Sequence, residues 1–269
     1  MSYVQLDFYS RALGFDCQLN IVLPEEKQGV GLIPVPRKEK HPVLYLLHGT
    51  SGDHSDWERW TSVERYAAKR GLAVVMMAGQ LSSYANMAHG QRFFDYVAYE
   101  VPEIVRDAFP ISDKREDNFI AGLSMGGRGT CVYAFNHPEK FAAAAILSAC
   151  PRDVMYDKAQ GNSMFKRTQG SIDNRGGLEA YLASYENTWR VLDEKAHTGE
   201  LPKLYFAIGT NDFLYDAFKH FRAHAEEIGL DATFEEIPGY KHEWRFWDLT
   251  IQKALTFFGL DQTDAGNPF

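Results

Sequence analysis

Residues 3–10 and 16–23 alternate apolar and polar side chains on either side of Gly14. That two-residue period belongs to half-buried strands, and the pair predicts an antiparallel hairpin. Residues 24–42 are rich in Pro and Lys and read as a surface loop. Beyond them the pattern changes. Short unbroken apolar runs at 43–47, 73–77, 119–121, 142–147 and 204–208, and a further strand-like run at 233–237, alternate with segments of helical spacing. The runs read as strands of an interior sheet. Helices are predicted over 57–70, stopping at Gly71, over 94–109, stopping at Pro110, and from the glycine-rich turn after Ala121 to the residue before Pro138. Two more are predicted over 213–229 and 244–258. Pro102 falls inside the second of these helices and should disturb it, because it lacks the N–H of the helical bond and its ring crowds the preceding turn. Residues 151–200 break the rhythm with Gly161, Gly170, Gly176, Gly177 and many charges, and predict an excursion of one or two short helices without a strand. The polar tail from Asp261 is expected to fray.

Repeated strand–helix alternation makes this an α/β protein with a central, mostly parallel sheet, right-handed crossovers and an N-terminal antiparallel hairpin. We expect a single domain over 1–269, with approximately 151–200 as a small cap-like insertion. The 269 residues are 45% apolar and 24% charged, enough for one large core without disulfides or metals. Lys and Arg number 28 against 36 Asp and Glu, a net charge of −8. No nucleic-acid partner is expected, because phosphate binding needs clustered basic residues. No run approaches the ~18 apolar residues of a membrane span, so no membrane partner is expected. Cys17, Cys131 and Cys150 have no CxxC spacing and form neither a disulfide framework nor a zinc knuckle. The N-terminus lacks the basic-then-apolar pattern of a signal peptide, and the expected location is cytoplasmic. A homo-oligomer is compatible with the sequence.

The chemistry concentrates at Gly122-Leu123-Ser124-Met125-Gly126, a G-x-S-x-G between a predicted strand and a predicted helix. In that context it reads as a nucleophile elbow, with Ser124 as candidate nucleophile. A serine hydroxyl needs a base. Of the histidines that follow, His137 sits at a helix end and His197 in the excursion. His220 and His224 are four apart without an H-E-x-x-H, and read as an exposed helix face, so no metal site is expected. His242, between the last predicted strand and the last helix, is the candidate base. Asp212, just after the run 204–208, is the candidate acid that would orient it, with Asp216 as rival. His48-Gly49-Thr50 follows the first interior strand, where a turn can supply a backbone N–H to an oxyanion; Thr50, with Ser51 as fallback, would join Met125 as donor. His48 itself reads as a buried structural histidine. Of the aromatics near these loops, Trp57, Trp60, Tyr84, Trp244, Phe246 and Trp247, we single out Trp57 and Trp244 as candidate walls of a substrate pocket.

The segments FYSRALGFDCQLNIVLP, LLHGTSGDHSDW, AGLSMGG, GTNDFLYDA and PGYKHEWRFW occur in this order over nearly the whole chain. They resemble the tributyrin esterase branch of the esterase D group, whose relatives include S-formylglutathione hydrolases and bacterial acetyl and feruloyl esterases. The resemblance implies an α/β-hydrolase fold and hydrolysis of short-chain acyl esters, with a small-molecule ester as partner and no cofactor. It places the family's nucleophile on Ser124, its acid on Asp212, its histidine on His242 and its oxyanion donors on Thr50 and Met125. S-formylglutathione hydrolases carry a Cys-bearing turn where this chain has Thr50-Ser51-Gly52. A thioesterase of that type, an acyltransferase and a catalytically silent binding scaffold are the alternatives.

Overall fold

The computed structural model describes residues 1–25 and 39–260. Most of the proline-rich stretch and the whole polar tail lie outside them. Eight strands form one sheet in the order β1-β2-β4-β3-β5-β6-β7-β8. They are β1 (Ser2–Ser10), β2 (Phe15–Leu23), β3 (Val43–Leu47), β4 (Ala73–Met77), β5 (Asn118–Leu123), β6 (Ala143–Leu147), β7 (Lys203–Gly209) and β8 (Ala232–Ile237). β1 and β2 make the expected antiparallel hairpin, and β2 adds antiparallel to β4. All remaining pairs are parallel. This is the α/β-hydrolase arrangement.

Burial explains the two kinds of strand. β3, β4, β5 and β6 are buried at every residue, as their unbroken apolar runs require, whereas the edge strand β1 alternates. One face of the sheet packs Tyr45, Leu47, Ile120, Ile146 and Phe206 under α5 (Met125–Asn136), α10 (Tyr215–Glu227) and the helical segment 93–108. The other packs Leu44, Leu46, Phe119, Ala145 and Ala207 under α1 (Asp56–Trp60), α2 (Val63–Ala68) and α11 (Trp244–Phe257). Register aligns the carboxyl ends of the parallel strands: Leu47 pairs Gly122, Leu123 pairs Leu147, Leu147 pairs Ala207 and Gly209 pairs Ile237. Loops leaving these ends therefore share one edge, where ligands of open α/β sheets bind.

Three segments differ from the sequence reading. The helix expected over 57–70 is two, α1 and α2. Thr61 between them is extended, its hydroxyl donating to the Trp57 carbonyl (2.5 Å) and accepting from the Val63 N–H (3.1 Å), a local alternative to helical bonding. The helix expected over 94–109 runs through α3 (Phe93–Asp95), a π-helical turn at Tyr96–Glu100 and α4 (Val101–Ala108). Pro102 offers no N–H to the Ala98 carbonyl, which accepts the Lys140 ammonium at 2.6 Å instead. The wider turn also carries the buried Glu100 to the hairpin, where it accepts the Arg11 N–H (2.6 Å), the Ala12 N–H (3.3 Å) and the Ser10 hydroxyl. Finally, the excursion holds four helices: α6 (Val154–Ala159), α7 (Ser163–Asn174), α8 (Leu178–Ala183) and α9 (Thr188–Lys195). Gly161 and Gly176 are left-handed stops between them (φ 60° and 85°), so glycines that read as breaks in order are helix terminators. Asp153 and Asn162 cap α6 and α7 through their side chains.

Candidate active site

Ser124 sits between β5 and α5 with φ 53° and ψ −115°, a conformation that non-glycine residues adopt at a cost of about 1–3 kcal/mol. The surroundings leave no alternative. A Cβ on Gly122 would lie 2.4 Å from the Gly126 carbonyl, and one on Gly126 would lie 2.5 Å from the His48 oxygen and 2.6 Å from the Leu47 oxygen. Only two glycines let the turn close this tightly, which is the physical content of the G-x-S-x-G spacing. The Ser124 N–H donates to the Leu147 carbonyl at 2.9 Å and ties the turn to β6.

The three candidate side chains meet. Ser124 Oγ is 2.9 Å from His242 Nε2, and His242 Nδ1 is 2.8 Å from Asp212 Oδ2. The network assigns the tautomer: Nδ1–H donates to the carboxylate, leaving Nε2 to accept from the serine hydroxyl. Asp212 comes from the turn after β7 and is buried; its other oxygen accepts the Leu214 N–H at 2.9 Å. His242 comes from the loop after β8 and is held against Phe213 (ring centroids 4.6 Å) and edge-to-face against Trp247 (5.0 Å). The Trp247 indole N–H donates to the Ser148 hydroxyl at 2.9 Å, which fixes that wall. Asp216, the rival acid, stands on α10 with its side chain 94% exposed and paired to Lys219.

Thr50 and Met125 flank Ser124. Met125 is the first residue of α5, where a helix offers its N–H no carbonyl. Thr50 lines the cleft on both sides of Ser124, and Ser51 lines neither. The turn that carries Thr50 is anchored by His48, whose Nδ1–H donates to the Gly49 carbonyl (2.6 Å) and whose Nε2 accepts the Gly79 N–H (2.7 Å). The second bond needs the neutral ring, because a protonated Nε2 has no lone pair to accept with. Burial lowers the His48 pKa, against the smaller raising effects of the Gly49 carbonyl, Asp56 and Asp53. With the folded-state value depressed, the unfolded chain binds the extra proton. The stabilisation is therefore complete above the ordinary histidine range and is lost as pH falls through that range toward the lowered value. The urea-unfolding free-energy gap between the wild type and His48→Gln is accordingly expected to shrink from about pH 8 to about pH 5.5. His137, also lowered chiefly by burial, is common to both proteins and cancels in the difference.

Two lobes open from Ser124. The one toward α7 has a volume of about 320 Å³ and is lined by Met125, Arg128, Cys150, Arg152, Met164 and Arg167, among others. The one toward α11, about 340 Å³, is lined by His242, Trp244, Trp247, Phe213 and Arg167. Trp244 is thus a wall. Trp57 is not: it is buried, its indole N–H donates to the Leu47 carbonyl (2.9 Å), and it meets Trp244 edge-on from behind (5.4 Å). Phe213, Arg128 and Arg167 were missed in the sequence. Phe213 is marked by its place directly after Asp212, whereas nothing in the spacing of the arginines marks them. Burial pushes the Cys150 thiol up to about 12, which removes it as a competing nucleophile. His220 is stacked on Tyr156 (4.1 Å) and His224 on Trp189 (4.2 Å), with His224 Nε2 2.6 Å from Asp193. Among the described residues no group of three or more His, Cys, Asp or Glu could hold a metal ion, and no helix is long and apolar enough to cross a membrane.

Comparison with known proteins gives the family of the chain. The family model described as "Putative esterase" matches residues 10–258. An acetyl esterase of Caldicellulosiruptor saccharolyticus is 29% identical over 265 residues, covering 95% of this chain and 97% of that one. Among solved structures, the fluorophosphonate-binding serine hydrolase F of Staphylococcus aureus superposes with a TM-score of 0.81 at 36% identity, covering 97% of this chain and 99% of that one. The S-formylglutathione hydrolase FrmB of the same organism gives 0.77 at 34% identity, with 96% and 98% covered.

Proposed function

The chain belongs to this esterase family, and we propose that it is a serine carboxylesterase acting on short-chain acyl esters through an acyl-enzyme. The observation that carries the reading is the continuous relay from Ser124 Oγ through His242 to the buried Asp212, with contacts of 2.9 and 2.8 Å. Ser124 attacks the ester carbonyl while His242 Nε2 takes its proton. Asp212 holds the imidazole in that tautomer and stabilises the imidazolium. The backbone N–H groups of Met125 and Thr50 receive the oxyanion. His242 then protonates the departing alcohol, and a water repeats the sequence on the acyl-enzyme. We read 1–269 as one domain, with α6–α9 as the cap that closes one side of the cleft.

The walls set the acyl length. One lobe is lined by Trp244 and Trp247 and the other by Arg128, Arg152 and Arg167, walls that suit a short acyl chain better than a long one. Each methylene that finds room contributes ~0.8 kcal/mol, and each one beyond meets protein. Turnover of 4-nitrophenyl esters is expected to be best from acetyl to butyryl and to fall sharply by octanoyl. A fluorophosphonate probe should label Ser124. Absence of labelling would favour a silent scaffold, and efficient cleavage of palmitoyl esters would overturn the short-chain assignment. A glutathione thioester is the second reading, supported by the 34% identity to FrmB. The turn Thr50-Ser51-Gly52 favours the ester.

A further inference from the structure

The lobe toward α7 carries charge that hydrolysis of a neutral ester does not use. Arg128, Arg152 and Arg167 line it and no carboxylate does, on a chain whose net charge is −8. Behind the wall, Arg128 donates to Ser171 (3.1 Å) and to the buried Glu186 (3.2 Å), which also pairs with Arg175, while Arg152 pairs with Asp157. Arg128 and Arg152 thus have carboxylate partners outside the lobe, and Asp56 lines the other lobe. Among the described residues Arg167 has no acidic partner; its contact is with the ring of Phe213, 4.8 Å from the centroid. Phe213 in turn packs on His242, and Arg167 borders both lobes. A cation stacked in this way keeps its N–H edge available beside the reacting serine, and the planar fork of a guanidinium matches a carboxylate or phosphate.

We propose that this lobe seats an anionic group, a carboxylate or a phosphate, carried by the ester on its acyl or its alcohol side, with Arg167 as the specificity-determining contact. The proposal rests on the esterase reading above and narrows its substrate class.

The test compares esters of matched shape that differ in charge. For the acyl side these are 4-nitrophenyl hemiglutarate and 4-nitrophenyl 5-oxohexanoate; for the alcohol side, 4-acetoxybenzoate and 4-acetoxybenzamide. After subtraction of the uncatalysed rate, the wild-type kcat/KM is expected to favour the anionic member of at least one pair by about tenfold. That pair identifies the side bearing the charge. Arg167→Ala should bring the ratio close to one, and Lys166→Ala, which removes the same charge from a neighbour that is exposed like Arg167 but lines neither lobe, should leave it in place. Wild-type ratios of one or less in both pairs, or a preference that survives Arg167→Ala, would overturn the proposal. Loss of turnover on all four esters together with no labelling of Ser124 would remove the esterase reading and the proposal with it. Turnover without preference removes the proposal alone.

Discussion

Ser124→Ala and His242→Ala are each expected to lower kcat by about 10⁶, and Asp212→Asn by about 10⁴, with the folded state retained. On the proposed mechanism, removing the hydroxyl removes the atom that forms the acyl bond. Removing the imidazole leaves a hydroxyl that no group deprotonates. The asparagine change keeps the shape at 212 but can turn an N–H toward His242 Nδ1, 2.8 Å away, where the carboxylate now accepts. The ring then presents its proton to the serine instead of its lone pair. Because the groups act as one relay, the double variant Ser124→Ala/His242→Ala should be scarcely slower than either single one, leaving the residual rate that binding and the oxyanion donors supply. Asp216→Asn provides the contrast. Its side chain is exposed and paired with Lys219, so kcat should stay within about threefold of wild type. Steady-state kinetics on 4-nitrophenyl acetate, with thermal unfolding to confirm folding, measure all five. A mild Asp212→Asn beside a crippling Asp216→Asn would reverse the assignment of the acid.

What the sequence displayed and what it hid divide along a physical line. Strands buried on both faces announce themselves, because every residue of 43–47 and 73–77 must be apolar. The elbow was legible because a close approach of backbones forces glycine at two fixed positions. His242 and Asp212 were legible because each directly follows a strand whose carboxyl end must lie at the same edge as Ser124. The segment 151–200 was not. Only α9 reaches the main core, through Val191 and Leu192; Val154, Ile172 and Tyr181 form their own small cluster, and much of the rest is polar contact such as the bonds of Glu186 with Arg128 and Arg175. Such pairs leave no period in the sequence. The break at Thr61 was hidden for a related reason, since the hydroxyl satisfies locally what the helix would otherwise bond. Trp57 was misplaced because a tryptophan at a loop near the site has the same sequence signature whether it faces the cleft or supports the residue that does.

Gly126→Ala changes a single methyl group and is expected to cost nearly as much activity as losing an oxyanion donor outright. The added Cβ would lie 2.5 Å from the His48 oxygen and 2.6 Å from the Leu47 oxygen, which belong to backbone and cannot rotate away. Either β3 and the turn after it retreat from α5, or α5 moves. The first movement displaces Thr50; the second displaces Met125 and the Ser124 turn. Both widen the gap between the two N–H groups proposed to hold the oxyanion. A donor lost from that position costs about 10²–10³ in kcat, and a misplacement of ~1 Å about 10². We therefore expect kcat to fall by about 10²–10³, KM for a short ester to change much less, and stability to drop by roughly 1–3 kcal/mol from overpacking. Gly170→Ala is the matched control. It lies inside α7, its Cβ meets nothing within 4 Å, and the helix should gain about 0.5–1 kcal/mol with no change in kcat. The decisive quantity is the division between rate and labelling. In Gly126→Ala the relay from Ser124 to Asp212 keeps its members, so a fluorophosphonate should still label Ser124, only more slowly, since that reaction also develops charge on an oxygen. A variant that turned over esters at the wild-type rate would mean that β3 and α5 can separate without disturbing Thr50 and Met125, and would overturn the coupling of this contact to the proposed oxyanion donors.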